Sequence, residues 1–372
     1  MSKFYCSLGL MSGTSGDGVD ASIIQSDGET EYKVILDKYF EYDQDIYENI
    51  HNLKDKINNS KDLKNLSESV KSLEKEITLF HAKSVNKIAK NFKGNIDFVG
   101  FHGQTIFHNS REKISKQLGD GNLLSKLIKN TVIYNFREND LKHGGQGAPL
   151  VPIFHKLLIN QHKINLPVCI LNLGGIANVT VVDTDYKIVS YDIGPGNCLI
   201  DEWIRKNSEK KYDNKGLIAQ AGKRNEKIFS QAVKNFENRK EKIKSSLDIK
   251  DFNSSFVNEL SLEDGAATLI EFTVRILSES FLSLLEKISG KLQKIVVCGG
   301  GRKNNFLMKR LKKNVYKNLT LQPIDDFGID GDFVESQAFA YLAIRSYLKL
   351  PISFPETTGV NKPCTGGIIV KN

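Results

Sequence analysis

Apolar and polar positions alternate along this chain in two rhythms, one of strands and one of helices. Tyr5 to Leu8 and Val19 to Ile24 are short apolar runs flanking a polar, glycine-rich stretch, which predicts strand, tight loop and strand. Leu63, Leu66, Val70, Leu73, Ile77 and Phe80 step by three and four and predict a long amphipathic helix. The seam spans only about two and a half heptads, too few to favour a coiled coil. Strands follow over Ile96 to Gly100 and Thr131 to Tyr134. Val168 to Asn172 and Val179 to Val182 are two further apolar runs separated by glycines, and a strand from Lys187 ends at Asp192. Ala266 to Ile288 reads as a buried helix. Ile295 to Cys298 is a short strand running into three glycines, and Asn304 and Asn305 open a helix through Met308 and Leu311. Glu335 opens a last helix through Ala338, Leu342 and Ile344. Residues 206–250 are polar, rich in Lys and Asn, and read as an exposed excursion.

The opening strand–loop–strand plan recurs about 165 residues later, which points to two structurally related domains. A length of 372 residues gives each of two domains enough chain for its own core. The alternation of strands and helices is α/β. The crossings are expected around 135–150 and around 350, so that domain I holds residues 1–135 plus about 350–372 and domain II holds 136–349. No low-complexity linker separates them, so the two are expected to face a central cleft.

Composition narrows the function. Forty per cent hydrophobic and 26% charged residues are ordinary for a globular protein. The net charge of +8 comes mostly from scattered lysines with no aromatic-interleaved stripe, which argues against nucleic-acid binding. Five widely spaced cysteines, Cys6, Cys169, Cys198, Cys298 and Cys364, suit reduced thiols rather than a disulfide framework. No C-x-x-C or H-E-x-x-H spacing occurs, no basic-then-apolar leader opens the chain, and no apolar run approaches membrane-spanning length. A cytoplasmic location without membrane contact is the expectation.

Candidate chemistry gathers at strand ends. In the first loop, Gly13, Gly16 and Gly18 allow close backbone approach, and amides with the hydroxyls of Ser12, Thr14 and Ser15 can face phosphate oxygens. Asp17 and Asp20 can hold a hard cation such as Mg²⁺ beside them. An ordinary hairpin turn needs Gly and Asp but not an unbroken polar or glycine run from Ser12 to Gly18. Asp192-Ile193-Gly194-Pro195-Gly196-Asn197 ends a strand and leads into a helix whose N-terminus offers amides to an anion. Asp192 there is either a general base or a turn-capping acid. His102-Gly103-Gln104-Thr105 offers an acid–base imidazole and amides suited to sugar hydroxyls, or a structural histidine. Arg137 can clamp a carboxylate or make a surface ion pair. Gly144 to Pro149 suits a hinge or a close-approach surface, and Gly299-Gly300-Gly301 suits a nucleotide lying on backbone or a tight turn. Glu335 alone reads as a helix N-terminal acid. Neither the P-loop nor the G-x-G-x-x-G signature is present.

Taken in order, these segments resemble the anhydro-N-acetylmuramic acid kinase family, of the actin, Hsp70 and sugar-kinase superfamily. The matching pieces are Gly9 to Asp20, His102 to Thr105, Asn135 to Arg137, Gly144 to Pro152 with Phe154-His155, Asn172 to Asn178, and Asp192 to Asn197. They continue with Gly299 to Gly301 with Asn304-Asn305, Glu335 to Ala340, and Pro355 to Gly359. The resemblance implies two ribonuclease H-like domains and a reaction in which ATP phosphorylates 1,6-anhydro-N-acetylmuramic acid while water opens its anhydro bridge. The product is N-acetylmuramic acid 6-phosphate. It implies Asp192 as the base that activates water. It implies ATP, with Mg²⁺, on Gly13, Thr14, Ser15, Gly16, Asp17, Gly18, Val19 and Asp20. Asn172, Gly174, Gly175, Asn178, Gly194, Gly196, Asn197, Gly299, Gly300 and Asn304 complete the nucleotide set. It implies His102, Gln104, Thr105, Arg137 and Glu335 as sugar contacts, a homodimer, and a role in peptidoglycan recycling. Two positions depart from the family pattern: Gly16 stands where Leu is usual, and Ile193 where Thr is usual. The alternatives are a conventional hexose kinase of the same superfamily and an Hsp70-like nucleotide-dependent binding module.

Overall fold

The computed structural model describes residues 3–240, 246–287, 292–315 and 319–372. The chain divides into two compact units, Met1–Lys163 with Asp332–Asn372, and Ile164–Gly331. In the first, β1 (Tyr5–Ser12), β2 (Gly18–Ser26) and β3 (Tyr32–Glu41) form an antiparallel meander. β4 (Phe98–Asn109) lies parallel to β1, with β5 (Ile114–Leu118) folded back on its far end, and β6 (Thr131–Tyr134) lies parallel to β4.

In the second unit β7 (Val168–Leu173), β8 (Ile176–Val182) and β9 (Ile188–Pro195) repeat the antiparallel meander. β10 (Lys294–Cys298) lies parallel to β7, and β11 (Thr320–Pro323) lies parallel to β10. β12 (Ile368–Val370) closes the first sheet antiparallel to β6. Leaving β5 and β12 aside, each sheet runs third, second, first, fourth, fifth along its own unit, the ribonuclease H-like order. The recurring sequence plan is therefore a recurring fold, two α/β units of one topology.

Residues 136–163 and 332–349, expected with the second half, pack in the first unit. The helix Val334–Tyr347 lies across β1, β2 and β4 and is buried on nearly every side. Two glycines make that approach possible. A Cβ at Gly9 would lie 1.9 Å from the Ser336 carbonyl oxygen, and one at Gly100 would lie 2.3 Å from that of Phe339. The 23-residue helix Ser67–Ala89 buries Val70, Leu73, Ile77, Val85 and Ile88 as its spacing predicts. Leu63 precedes it on a separate short helix, Ser60–Asn65.

In the second unit the helix Leu262–Lys287 fills the core beside β9. Ile288, expected at its end, lies outside the described residues. The stretch 206–250 is not simply an exposed excursion. Its helix Glu226–Lys240 sends Ala232, Val233 and Phe236 into the core, where Phe236 meets Phe252 and Phe272.

Candidate active site

In the first unit the loop between β1 and β2 is held from behind, carbonyl by carbonyl. Gln104 Nε2 donates to the Gly13 oxygen at 2.8 Å, Lys54 Nζ to that of Thr14 at 2.6 Å, and His51 Nε2 to that of Ser15 at 2.9 Å. The Asp17 carbonyl accepts from the Tyr42 amide at 2.9 Å and from the Tyr39 hydroxyl at 3.0 Å. Because a trans peptide points its N–H away from its C=O, anchored carbonyls turn the following amides to the other side. Among the described residues the amides of Thr14 and Ser15 make no hydrogen bond, and a Cβ at Gly13 would meet nothing closer than Ser15 Oγ at 3.6 Å. The loop thus offers donors and room, the arrangement of an anion nest. Gly16 takes φ +65°, a left-handed conformation, and Gly18 is obligatory, since a Cβ there would lie 2.5 Å from the Phe40 oxygen. Val19 points fully into the core, so only its backbone serves the loop.

The loop's two acids differ in setting. Asp17 Oδ1 accepts from Ser15 Oγ at 2.6 Å, while Asp20 sits half-buried on β2 opposite Met11. No cluster of three or more His, Cys, Asp or Glu able to hold a metal occurs among the described residues. That donor set fits a Mg²⁺ carried mainly by nucleotide phosphate and water. Beneath the loop, Ser12 Oγ bonds to Tyr42 Oη at 2.9 Å and to His81 Nε2 at 3.2 Å. Burial holds the His81 imidazole down at about 4.

His102 and Arg137 come together. His102 Nδ1 donates to the Gly103 oxygen at 2.8 Å, and Nε2 accepts from Arg137 Nη2 at 2.9 Å. Burial, with the Arg137 guanidinium beside it, holds the imidazole well below its ordinary range. Both ring nitrogens are thus engaged within the protein, and the ring is held in one orientation. Arg137 also donates to the Gly147 oxygen at 2.7 Å. Neighbouring Asp140 is buried and accepts from the Gly147 amide and the Thr358 hydroxyl, both at 2.6 Å, which ties the Gly144 to Pro149 loop to the C-terminal segment. Thr105 Oγ1 accepts from Gln117 Nε2 at 3.1 Å, and Glu335 sits in the first turn of Val334–Tyr347.

In the second unit the Gly174-Gly175 turn meets the start of the helix Cys198–Asn207. The amides of Gly196 and Cys198 donate to the Gly175 oxygen at 3.0 and 3.1 Å, and that of Asn197 to the Gly174 oxygen at 2.8 Å. The amides expected to greet an anion therefore bind the turn instead. Gly196 is required there, because a Cβ would lie 2.1 Å from the Gly174 oxygen. Gly299, at φ +81°, packs on Asn172 and Leu173, whereas Gly300 has open space around it. Gly194 lies against Ile276 and presents backbone only. Asn304 caps the helix Asn305–Asn314, its Oδ1 accepting from the Leu307 amide at 2.9 Å.

Asp192 lies on β9 opposite Asn178, beside a bulge in the β8–β9 pairing. Its Oδ2 accepts from the Leu247 amide at 2.8 Å and from Ser246 Oγ at 3.2 Å. Ile193 turns its side chain into the core.

Several supporting residues escaped the sequence reading. Buried Arg302 makes a bidentate pair with Asp325 at 2.7 and 2.8 Å and donates to the Gly299 oxygen at 3.2 Å, fixing the glycine turn. His51 and Lys54 lie three apart on the helix Gln44–Lys56, and Lys54 falls in register with buried Tyr47, Ile50 and Ile57. A lysine at a core-facing position was the available signal.

A family model described as anhydro-N-acetylmuramic acid kinase matches residues 5–372. The chain belongs to the anhydro-N-acetylmuramic acid kinase family. It is similar to the proteins of that name from Pelagibacter ubique (strain HTCC1062), 59% identical over 100% of both chains, and from Methylobacterium nodulans, 36% identical over 98% of this chain and 99% of the relative. A solved structure, (R)-2-hydroxyglutaryl-CoA dehydratase component A from Acidaminococcus fermentans, is 12% identical and aligns over 93% of this chain and 100% of its own with a TM-score of 0.46. As a member of this kinase family the chain is an enzyme. No helix among the described residues is long and apolar enough to cross a membrane.

Proposed function

We propose that this enzyme couples hydrolytic opening of 1,6-anhydro-N-acetylmuramic acid to its phosphorylation by ATP in peptidoglycan recycling. The observation that carries the reading is the family match over residues 5–372, joined to the acid Asp192 on β9 beside the bulge. In this reading the Leu247 amide and Ser246 hydroxyl orient the Asp192 carboxylate. Asp192 removes a proton from water as its oxygen bonds to the anomeric carbon. The bond from that carbon to O6 breaks, O6 attacks the γ-phosphorus in line, and ADP leaves. The loop from Gly13 to Asp20 takes nucleotide phosphate through its outward amides. In the second unit, Gly174, Gly175 and Gly300 offer backbone to the nucleotide. Mg²⁺, when bound, would neutralise phosphate charge, with Asp17 and Asp20 as the nearest acids in that loop. His102, Gln104, Thr105, Arg137 and Glu335 are proposed as sugar contacts. A cytoplasmic homodimer is proposed on the resemblance alone.

The test is ATP turnover with and without the anhydrosugar in ¹⁸O-labelled water. ADP release should require the sugar, and product analysed before anomeric exchange should carry label at its anomeric hydroxyl. Label in phosphate would mean plain ATP hydrolysis, and phosphorylation of an intact hexose would favour a conventional sugar kinase.

A further inference from the structure

Among the described residues, the hydrogen bonds that the framework of the unit makes to the loop Gly13 to Asp17 end on its carbonyls, and one of the donors is a cation. Lys54 is 6% exposed, and its ammonium lies 2.6 Å from the Thr14 oxygen. His51, one turn earlier on the same helix, takes the next carbonyl, Ser15, at 2.9 Å. Their helix is seated by Tyr47, Ile50 and Leu53 in the core, and Ile50 lies 3.0 Å from where a Cβ of Gly16 would be. The two donors are therefore fixed to the framework of the unit rather than to the loop itself.

We propose that Lys54 is a positioning residue for nucleotide phosphate. It draws the Thr14 carbonyl inward, so that the Ser15 amide faces the ligand, and it places a buried positive charge directly behind the loop. The two effects have one sign. A carbonyl turned toward a phosphate would repel it, while an inward carbonyl neutralised by an ammonium leaves only amides facing the anion. Low local dielectric lengthens the reach of the charge compared with a solvated surface lysine. The inference rests on the reading that this loop takes ATP phosphate.

The experiment uses the full chain with Lys54→Met, Lys54→Gln and Lys54→Arg. Calorimetric titration with ATP and steady-state kinetics should show ATP affinity about tenfold or more weaker in the Met and Gln variants, the scale of a charge-assisted hydrogen bond. KM for the anhydrosugar should stay within about twofold on the same scale of reasoning, and Arg should restore most of the ATP affinity. Unchanged ATP affinity in folded Met or Gln variants overturns the proposal. So does an Arg variant no better than Met, or an equal loss for sugar and ATP, because those outcomes describe packing alone. A native chain that binds ATP but does not turn over the sugar refutes the reaction and leaves the Lys54 titration decisive. A native chain that binds no ATP overturns both.

Discussion

Replacing Asp192 by Asn changes two atoms' worth of chemistry and almost no volume. In the native protein Oδ2 accepts hydrogen bonds from the Leu247 amide at 2.8 Å and Ser246 Oγ at 3.2 Å among the described residues. An asparagine that turns its carbonyl oxygen to those donors keeps both bonds and places its NH₂ where the other carboxylate oxygen stood. The bonds weaken from charge-assisted to neutral, a loss of about 1–2 kcal/mol in all, which a domain stabilised by roughly 5–15 kcal/mol survives. Nothing remains to accept a proton from water. General-base catalysis contributes roughly 10²–10⁴-fold, or about 3–5 kcal/mol of barrier. The expected outcome is a folded variant that binds ATP and sugar like the native enzyme and turns over at least about a hundredfold more slowly on that scale. ADP release in a coupled assay gives turnover, calorimetry gives both affinities, and urea denaturation gives stability. Turnover close to native would refute the role of Asp192. A fall in turnover matched by equal losses in binding or folding would reduce Asp192 to an anchor for residues 246–247.

Three further outcomes follow from the same geometry. Gly196→Ala places a Cβ 2.1 Å from the Gly174 oxygen, so stability by urea denaturation should fall by about 1–3 kcal/mol, with weaker ATP binding by calorimetry. Arg302→Met removes the bidentate contact to Asp325, costing about 1.5–3 kcal/mol near neutrality. The hydrogen bond from Arg302 holds the Asp325 carboxyl below its ordinary 3.8. The native advantage is therefore full above that value and lost as pH falls through the depressed one, so the denaturation midpoints of native and variant should converge in acid. His81, held at about 4 against an ordinary 6.5, takes its proton first in the unfolded chain. Its contribution is full above 6.5 and disappears as pH falls toward 4, and His81→Gln should flatten the stability slope across that interval.

The strands, the long helix and both glycine hairpins were legible because each is written in local periodicity. The strand order of each sheet was not, since pairing joins segments far apart in sequence. The helix Glu226–Lys240 was hidden by its lysines: the period through Ile228, Ala232, Val233 and Phe236 is present but sits in a charged background. The return of Val334–Tyr347 to the first unit leaves only an indirect mark, the glycines at positions 9 and 100 where a flat strand face is needed. The loop Gly13 to Asp17 stood out in sequence because its unbroken polar and glycine run is unusual for a plain turn, whereas Asp192 read equally as a base or a turn cap and took its proposed role from the resemblance alone. The roles of Gly196 to Cys198 could not be read from sequence, because whether an amide faces a ligand or a neighbouring carbonyl depends on a partner in another segment. Asn304 was legible as the opening of a helix, and it caps that helix through the Leu307 amide.

The second unit is one uninterrupted stretch, Ile164–Gly331, set within the first. That ordering matters at the ribosome. When β6 has been made, the first sheet still lacks the helix Val334–Tyr347 that covers β1, β2 and β4, and about 200 residues must be translated before it emerges. At roughly 5–20 residues per second this is a delay of about 10–40 s. Throughout that interval the nascent amino-terminal half exposes an apolar sheet face bearing Gly9 and Gly100, while the second unit can be completed without it. The second unit is then the first to mature, and the nascent chain presents a surface suited to chaperone capture until Val334–Tyr347 has been translated.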